Sequence, residues 1–359
     1  MKVSLVSPME LRDSEMGAWR KMQAAQPHLD NPFLSPEFAI AVGHARKDAE
    51  VAVVSDGDDP IAFFPFERHR LRVGKPIGGW LSTCQGIVYA PGAELDAREL
   101  LKRCGLDVWE FGCLVEGQRW FSAGERLHLD SVVMDLGRGY ESYLAELRTR
   151  SAKLAKSLRY QERRLGREIG EVTFDFDVRD EEQLRLVRTW KSAQYRGKGR
   201  ADRFAQPWVV DLVERLHQTR SDGFAGVLSM LYADGRPIAG HFGLRTGGAM
   251  ISWFPAYDTD VAKYSPGLVQ HLHMARAAAD TGIRSIDLGP GVDWHYKQQL
   301  KSRTVTVSEG CVRRPTAAGA VHWTRRTPAD RAKTFILRNE RLYGLADRTL
   351  RRTARLRAR

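Results

Sequence analysis

Cysteine is scarce in this chain of 359 residues, and its four copies share no spacing that indicates a site. None of them forms a C-x-x-C pair, so the pattern suits neither a zinc site nor a disulfide framework. The ten histidines show no metal-ligand spacing either, because the closest pair, His271 and His273, falls on different faces of a predicted helix. We therefore expect no metal, and we expect the cysteines to be buried thiols.

The motifs of several common enzyme classes are also missing. The chain has neither a G-x-S-x-G nucleophile elbow nor a G-x-x-x-x-G-K-[ST] phosphate loop, which argues against a hydrolase and a nucleoside triphosphatase. No apolar run approaches the ~20 residues that cross a bilayer. The opening residues, MKVSLVSPMELRDSEMG, lack the apolar core of a signal peptide. The expected location is the cytoplasm.

Positive charge is concentrated at one end of the chain. The net charge is +12, yet residues 313–359 alone carry fourteen Arg or Lys against three acids, a net of +11. The rest of the chain is thus nearly neutral, and its high pI does not by itself indicate a nucleic-acid binder. We expect residues 313–359 to form a basic helical tail. Such a tail could lie on an anionic membrane surface at the inner face of the membrane. The alternatives are contact with tRNA phosphates or an acidic partner, and a solvated, partly disordered tail.

The stretch from residue 226 to residue 303 carries the clearest structural pattern. Three β-type runs, Val227–Tyr232, Pro237–Arg245 and Ala249–Phe254, are separated by Asp-Gly and Gly-Gly pairs that accept the positive φ of tight turns. A helix follows, with Ser265 predicted to cap it through its hydroxyl and Pro266 in the first position. A short strand, Arg284–Leu288, comes next. The order is strand, strand, strand, helix, strand.

The start of that helix is a predicted anion site. The first amides of a helix have no internal acceptors, and the helix dipole adds partial positive charge there. Gly267 leaves room for a ligand to approach, and Lys263 could add a full charge. A helix that merely begins at Ser-Pro-Gly is the alternative.

The rest of the chain suggests two α/β domains joined by a helix. We predict an N-terminal domain over residues 1–139 and a C-terminal domain over residues 169–312. Between them, residues 140–168 read as one long linker helix with leucines at helical intervals and a basic face. Two further helices, Asp180–Tyr195 and Gln206–Arg220, are joined by the loop RGKGRADRF.

Written as elements, the second half reads β-α-α-β-β-β-α-β-α-β, and several short motifs follow that order. KYSPGL (263–268), a helix ending in TGI (281–283), IDLG (286–289) and YKQQLKS (296–302) resemble the bacterial GNAT-type family that includes the CelD/BcsL cellulose-biosynthesis proteins. NPFLSPEF (31–38) and SLRYQERRLG (157–166) are similar to the same family. The layout also resembles FemAB-type aminoacyl transferases. The implied fold is α/β: tandem GNAT-like domains with a mixed central sheet flanked by helices.

The resemblance implies acetyl-CoA or another acyl-CoA as co-substrate. GNAT enzymes hold it in a gap between two strands, with the pyrophosphate on the helix that follows. The implied binding residues are Trp253, Phe254, Pro255, Lys263, Tyr264, Ser265, Gly267 and Leu268. Pro255 and Ala256 are expected to break the strand and free main-chain groups for the pantetheine amides. The loop departs from the common Q/R-x-x-G-x-G/A pattern, since it has one glycine and a proline.

The same resemblance implies the reaction, which is attack of an amine or hydroxyl on a thioester. Such attack needs a base and benefits from a donor to the carbonyl and an acid for the thiolate. Asp287 is the first candidate for base or substrate anchor, with a carboxylate that caps the following glycine turn as the alternative. Tyr296 could protonate the thiolate, and Lys297 could hold Asp287 or an anionic substrate. His241 is a weaker candidate.

Three functions remain open from the sequence. The first is an acyl-CoA-dependent N- or O-acyltransferase that acts on a sugar, a polysaccharide precursor or a similar small metabolite. The second is an aminoacyl-tRNA-dependent transferase of the FemAB type, in which basic segments would contact tRNA. The third is a non-catalytic scaffold in exopolysaccharide synthesis. Nucleic acid is a partner only in the second.

Overall fold

The computed structural model describes residues 2–291 and 295–326. The predicted basic tail therefore lies largely outside the described residues, although residues 317–326 are helical. The first half of the chain contains β1 (Lys2–Val6), α1 (Asp13–Ala24), α2 (Pro36–Ala45), β2 (Ala49–Asp56), β3 (Asp59–His69), β4 (Val73–Pro76), β5 (Val88–Tyr89), α3 (Ala97–Arg103), β6 (Val108–Val115) and β7 (Glu125–Asp135).

The second half begins with two helices and then follows the predicted order. It contains α4 (Tyr140–Arg150), α5 (Ala152–Glu168), β8 (Val172–Asp175), α6 (Glu181–Gly197), α7 (Pro207–Gln218), β9 (Arg220–Ser221), β10 (Phe224–Ala233), β11 (Arg236–Arg245), β12 (Ala249–Tyr257), α8 (Pro266–Asp280), β13 (Ser285–Pro290), α9 (His295–Leu300) and β14 (Arg303–Arg313). Within the described ranges, no helix is long and apolar enough to cross a lipid bilayer.

The prediction of one continuous helix over residues 140–168 is wrong. The segment forms α4 and α5, and the chain is extended between them at Ser151, with φ −153° and ψ 77°. Ser151 still serves both helices, because its N–H donates to Leu147 and its carbonyl accepts from Ala155. Leucine periodicity alone cannot reveal such a break, since the apolar face resumes after it. The predicted domain limits themselves stay a prediction.

The two predicted hairpin turns form by different means. Between β10 and β11, Asp234 and Gly235 have φ of 51° and 70°, as a two-residue turn with positive φ requires. Between β11 and β12, neither glycine has positive φ, so that part of the prediction is wrong. This second turn is closed by Thr246, whose hydroxyl oxygen accepts from the amide of Ala249 at 2.9 Å.

The strands form one mixed sheet whose two halves mirror each other. Its order is β1-β2-β3-β4-β6-β14-β7-β13-β12-β11-β10-β8, with β5 beside β3 and β9 beside β10. Counted inward from the two edges of the sheet, β4 and β6 in the first half hold the same positions as β12 and β13 in the second. Each of these two pairs is parallel. At the centre the halves exchange a strand. β14 lies between β6 and β7 of the first half, and β7 lies between β13 and β14 of the second.

A glycine contact makes room for the exchanged strand. A Cβ added to Gly310 of β14 would lie 2.1 Å from the carbonyl oxygen of Gly124, just before β7. A Cβ added to Gly124 would in turn lie 2.5 Å from the carbonyl oxygen of Cys311. Both obstacles are main chain and cannot rotate away. Only two glycines allow this close approach.

We expect Gly310→Ala to lower the free energy of unfolding by about 3 kcal/mol, the upper part of the usual range for overpacking. Gly112→Ala on neighbouring β6 is the matched control, because a Cβ there meets nothing within 4 Å. Urea unfolding of both variants measures the difference. Equal stability of the two would show that the glycine contact is not needed for the strand exchange.

Aromatic side chains join the two halves away from the sheet centre. Trp253 of β12 packs edge to face on Phe33, with ring centroids 5.3 Å apart, and its indole N–H donates to the carbonyl of Leu81 at 3.1 Å. Phe38 of α2 lies beside the same indole at 6.3 Å. One buried cluster therefore contains residues of both halves, which holds β12 against the first half of the chain.

Candidate functional site

The strands β12 and β13 separate within the sheet. They pair in parallel only at Ala249–Ser285, Met250–Ile286 and Ile251–Asp287. Beyond that point β12 continues to Tyr257 and β13 to Pro290 without further pairing between the described residues of the two strands. β12 also contains one extra residue, Trp253, between the residues opposite Phe242 and Gly243. A bulge of this kind leaves the extra residue without a cross-strand partner.

The predicted strand break at Pro255 and Ala256 is wrong. β12 runs through both residues to Tyr257, because proline is tolerated where a strand faces no partner on one side. The carbonyl of Pro255 accepts from Lys191 at 2.7 Å, and that of Tyr257 accepts from the side-chain amide of Gln194 at 3.3 Å. Side chains of α6 thus reach the separated part of β12.

Two of the predicted cofactor-binding side chains serve the core. Trp253 is bound to Leu81 and packed against Phe33, as described above. Phe254 is fully buried and packs on Phe204 with centroids 4.9 Å apart. Neither side chain is open to a ligand, so a contact from this part of β12 to a co-substrate would have to come from the main chain. Their role in binding stays a prediction.

The start of α8 differs from the predicted cap. Ser265 has the left-handed conformation, with φ 53° and ψ 46°, and its side chain makes no capping hydrogen bond. A side-chain cap normally needs an extended residue at this position. The carbonyl of Ser265 instead accepts from Leu268 at 3.0 Å and from Val269 at 3.2 Å. Gly267 is the second residue of α8, and an added Cβ there would approach the ring of Tyr257 to 3.3 Å.

The remaining residues of this segment point to other parts of the structure. The hydroxyl of Tyr264 donates to Glu168 at 2.6 Å, and Lys263 lies 3.6 Å from the same carboxylate. Leu268 is packed against the apolar cluster beneath α4 and α8. The amides of Leu268 and Val269 are both used by Ser265, so the segment offers fewer donors than the sequence suggests, with Lys263 as a nearby cation.

Lys191 of α6 is a site residue that the sequence does not single out. Its amine donates to Pro255 and lies 5.4 Å from the ring centre of Tyr195. The pKa of Lys191 is lowered to about 7, chiefly because the amine is buried and further because Lys198 and Arg203 lie near it. At neutral pH this amine can both accept and donate a proton. The loop after α6 thus brings positive charge to the gap between β12 and β13.

His271 of α8 lies on the other side of the gap. Its Nδ1 is 2.6 Å from the carbonyl of Gly267, which requires a proton on Nδ1 and leaves Nε2 as an acceptor. Nε2 is 3.3 Å from the hydroxyl of Ser252. Burial lowers the pKa of His271 to about 4, so the ring is neutral at pH 7. His241 is buried beneath it, with ring centroids 6.2 Å apart.

The three predicted catalytic residues lie at the far end of β13. Oδ1 of Asp287 accepts from the hydroxyl of Ser131 at 2.5 Å and from the amide of Gly289 at 2.7 Å. Asp287 therefore caps the glycine turn, the structural alternative given above. Burial raises its pKa. The amine of Lys297 donates to the carbonyls of Gly289 at 2.9 Å and Pro290 at 3.1 Å.

Tyr296 and Lys297 lie in the first turn of α9, which forms one side of this site. Burial lowers the pKa of Lys297 to about 8 and raises that of Tyr296 to about 12. The ring of Tyr296 is 5.8 Å from that of His271, so α9 and the first half of α8 face each other. The structure thus brings together two of the predicted residues with His271, which sequence spacing did not select. Their roles stay predictions.

Comparison with known proteins supports the fold of this site. Residues 152–298 match the sequence profile of an acetyltransferase (GNAT) domain. No curated protein sequence matches the chain. The mixed α/β architecture, with a central mixed sheet flanked by helices, is the predicted fold class and is confirmed.

Three solved structures are similar over most of their length at low identity. FemX has a TM-score of 0.60 at 12% identity, over 87% of this chain and 96% of that one. A conserved protein of unknown function from Bacteroides thetaiotaomicron has a TM-score of 0.55 at 11% identity, over 85% of this chain and 99% of that one. The C-terminal domain of a candidate lysylphosphatidylglycerol synthetase from Agrobacterium fabrum has a TM-score of 0.52 at 14% identity, over 88% of this chain and 96% of that one. At such identity these likenesses show the fold alone.

Proposed function

We propose that this protein is an acyl-CoA-dependent N- or O-acyltransferase that acts on a sugar, a polysaccharide precursor or a similar small metabolite. The observation that carries the proposal is the gap between β12 and β13, which opens beside the start of α8 and is bordered by Lys191, His271, Tyr296 and Lys297. The GNAT profile matched by residues 152–298 supports the same reaction class. The link to polysaccharide synthesis rests on the sequence resemblance.

The residues at the start of α8 fit a phosphate-bearing co-substrate. The helix dipole favours an anion there, and the missing side chain of Gly267 keeps the approach free. When bound, acyl-CoA supplies a thioester that an amine or hydroxyl can attack. The main chain at Trp253, which has no residue opposite it on β11, is the candidate donor to its carbonyl oxygen.

The proton transfers can be assigned to side chains on the two sides of the gap. Lys191, with a pKa of about 7, is our candidate for the base that takes the proton of the attacking group. Tyr296 remains the candidate acid for the leaving thiolate. Lys297 holds the turn after β13 through two carbonyls and places positive charge near Asp287. Asp287 then positions the end of β13 and need not titrate.

A second candidate donor, aminoacyl-tRNA, is favoured by one observation. A groove of about 500 Å³ lies between α4, α5 and α8, and its lining has an excess of positive charge, with Arg148, Arg159, Arg163 and Arg276 against Glu141 and Glu162. α5 ends at Glu168, which bonds Tyr264 just before α8, so this basic groove leads toward the proposed phosphate site. RNA bound there would show a steep dependence on salt.

Thermal-shift titration and a thiol-release assay test the donor. Stabilisation by acetyl-CoA, with free CoA released in the presence of amine or sugar acceptors, is the expected result. Stabilisation by charged tRNA alone would favour the second candidate. No response to either donor would contradict both and leave a scaffold role.

Gly267→Asp is expected to weaken acetyl-CoA binding roughly tenfold or more, equivalent to about 1.4 kcal/mol. The new carboxylate would repel the phosphates and its Cβ would crowd Tyr257. Folding should be retained, because an acidic residue at a helix start is itself favourable. Gly17→Asp on α1 is the control, since that position has open space. Unchanged acetyl-CoA affinity in Gly267→Asp would move the phosphate site elsewhere.

A further inference from the structure

The first half of the sheet contains a second gap that corresponds to the one between β12 and β13. β4 and β6 pair in parallel at Val73–Val108 and Gly74–Trp109 and then separate. A cavity of about 540 Å³ lies against the residues that follow these pairs, Lys75 on β4 and Glu110 on β6, with β14 on its other side. The exchanged strand therefore helps to form a site within the first half.

Cations and carboxylates alternate around this cavity in bonded pairs. Arg46 donates to Glu67 at 3.0 Å, and Glu67 also accepts from the amide of Gly78 at 2.9 Å. Across the cavity, Glu110 accepts from His322 at 2.8 Å and from Arg326 at 3.0 Å. Glu67 is almost fully buried, so its position is fixed by these bonds. The groups that a ligand can reach are therefore Arg46 and the pair Glu110–Arg326, which offers an acceptor beside a donor.

Two tryptophans add aromatic surface to the rim. Trp80 is 48% exposed and lines the cavity, and its ring meets that of Trp208 at 71° with centroids 6.0 Å apart. Arg46 lies over Trp208 at 5.0 Å, which ties the aromatic rim to the polar base. An exposed indole beside paired polar groups gives a ligand one apolar contact and several hydrogen bonds.

This lining selects against several ligand classes. Among the cations in the lining, Arg46, Lys75 and Arg326 already pair with Glu67 or Glu110. A phosphate would therefore have to compete with these carboxylates. A divalent cation could find Asp48, Glu67 and His69 within 4.8 Å of one another, but the guanidinium of Arg46 already bonds both carboxylates, at 2.9 and 3.0 Å. A sugar hydroxyl both donates and accepts, so adjacent carboxylates and cations satisfy it completely.

We propose that the cavity between β4, β6 and β14 binds a neutral sugar unit, with its hydroxyls on Arg46 and the Glu110 pair and its C–H face against Trp80. The segment from Trp80 to Gln85 separates this cavity from the β12–β13 gap. Trp80 and Gln85 line the cavity, whereas Thr83 lies toward Gly289 of β13. Arg203, one of the cations near Lys191, covers Trp80 at 4.8 Å.

The position of the cavity suggests its use. Only the segment from Trp80 to Gln85 lies between a glycan held in this cavity and the gap between β12 and β13. We therefore assign the cavity as the binding site of the acceptor, whose hydroxyl or amine would reach into that gap. That assignment rests on the proposed function, whereas sugar binding itself does not. The reaction would form an ester or amide on the sugar and release the thiol.

Sugar binding is tested on the full-length protein with an array of bacterial mono- and oligosaccharides, followed by saturation-transfer NMR on the best binder. Trp80→Ala is expected to weaken that binder about tenfold, the scale of an aromatic contact. Glu110→Gln keeps the shape of the side chain and should weaken it similarly, while stabilisation by acetyl-CoA is retained. Tyr160→Ala is the control, because this exposed aromatic lies on α5.

The sugar site and the acyl donor are tested independently of each other. An array with no binder, or binding that Trp80→Ala and Glu110→Gln leave unchanged, overturns the sugar site even if acetyl-CoA is consumed. Binding of inorganic phosphate or Zn²⁺ that depends on these residues also overturns it. Sugar binding without any response to acetyl-CoA would sustain the site and contradict the proposed donor.

Discussion

Lys191→Met is expected to lower kcat/KM for acyl transfer by roughly 10²- to 10⁴-fold, the usual contribution of a general base. The reason is the position of the amine, which bonds the separated part of β12 and is buried beside other cations. Burial and these cations lower its pKa to about 7, so the neutral amine is available near pH 7. The variant cannot accept a proton, although its side chain fills nearly the same space. Steady-state kinetics with saturating acetyl-CoA measure the loss.

The pH dependence distinguishes a base from an anchoring charge. A base must be neutral before it acts, so kcat/KM of the unmodified protein should rise with pH and level off above about 7. This rise should be absent in Lys191→Met. Lys191→Arg should be equally inactive, because arginine keeps its proton. Activity retained in Lys191→Arg would instead assign Lys191 to charge alone. Lys156→Met on α5 is the control.

Removal of β14 is expected to abolish folding of the entire chain. The strand is central, with β6 on one side and β7 on the other, and Val307 pairs with Val115 and with Leu129. Without it, both neighbouring strands expose unpaired edges inside the sheet, which is unfavourable and promotes aggregation. A chain that ends at Ser302 should therefore give no cooperative unfolding transition by circular dichroism.

The control for this truncation is a chain that ends at Arg326, which keeps β14 and should unfold cooperatively. Val307→Pro probes the same strand with one residue, since proline removes a ladder bond and is not tolerated in a central strand. A soluble, cooperatively unfolding chain without β14 would mean that β6 and β7 can close the gap by themselves. Such a result would also favour the two independent domains that the sequence suggests.

Local sequence signals predicted much of the second half. Asp234-Gly235 identified the hairpin between β10 and β11, and the three strands, α8 and β13 follow in the predicted order. These elements depend on neighbours in sequence, through turn geometry and apolar periodicity. The exchange of β7 and β14 depends on pairing between residues about 170 positions apart, such as Val133 and Arg303. No local pattern encodes that choice.

The candidate site was predicted only in part, because local signals identify neighbours in sequence and not residues that packing brings together. Asp287 lies on β13, and Tyr296 and Lys297 lie on α9, the next element in the chain. A local sequence motif was therefore enough to place all three residues at one end of β13. Lys191 belongs to a different helix, and only the packing of α6 on β12 brings it to Pro255. His271 was considered as a metal ligand with His273, whereas in the structure its Nδ1 bonds the carbonyl of Gly267 one turn earlier.

The central place of β14 also has a consequence for protein synthesis. A ribosome completes β7 about 170 residues before it reaches β14, which at 5–20 residues per second is an interval of about ten to thirty seconds. During that interval β6 and β7 are present without the strand that separates them. They can pair prematurely as a hairpin, which must open again before the last strand enters. Nascent chains of this protein should therefore depend on chaperones until late in translation.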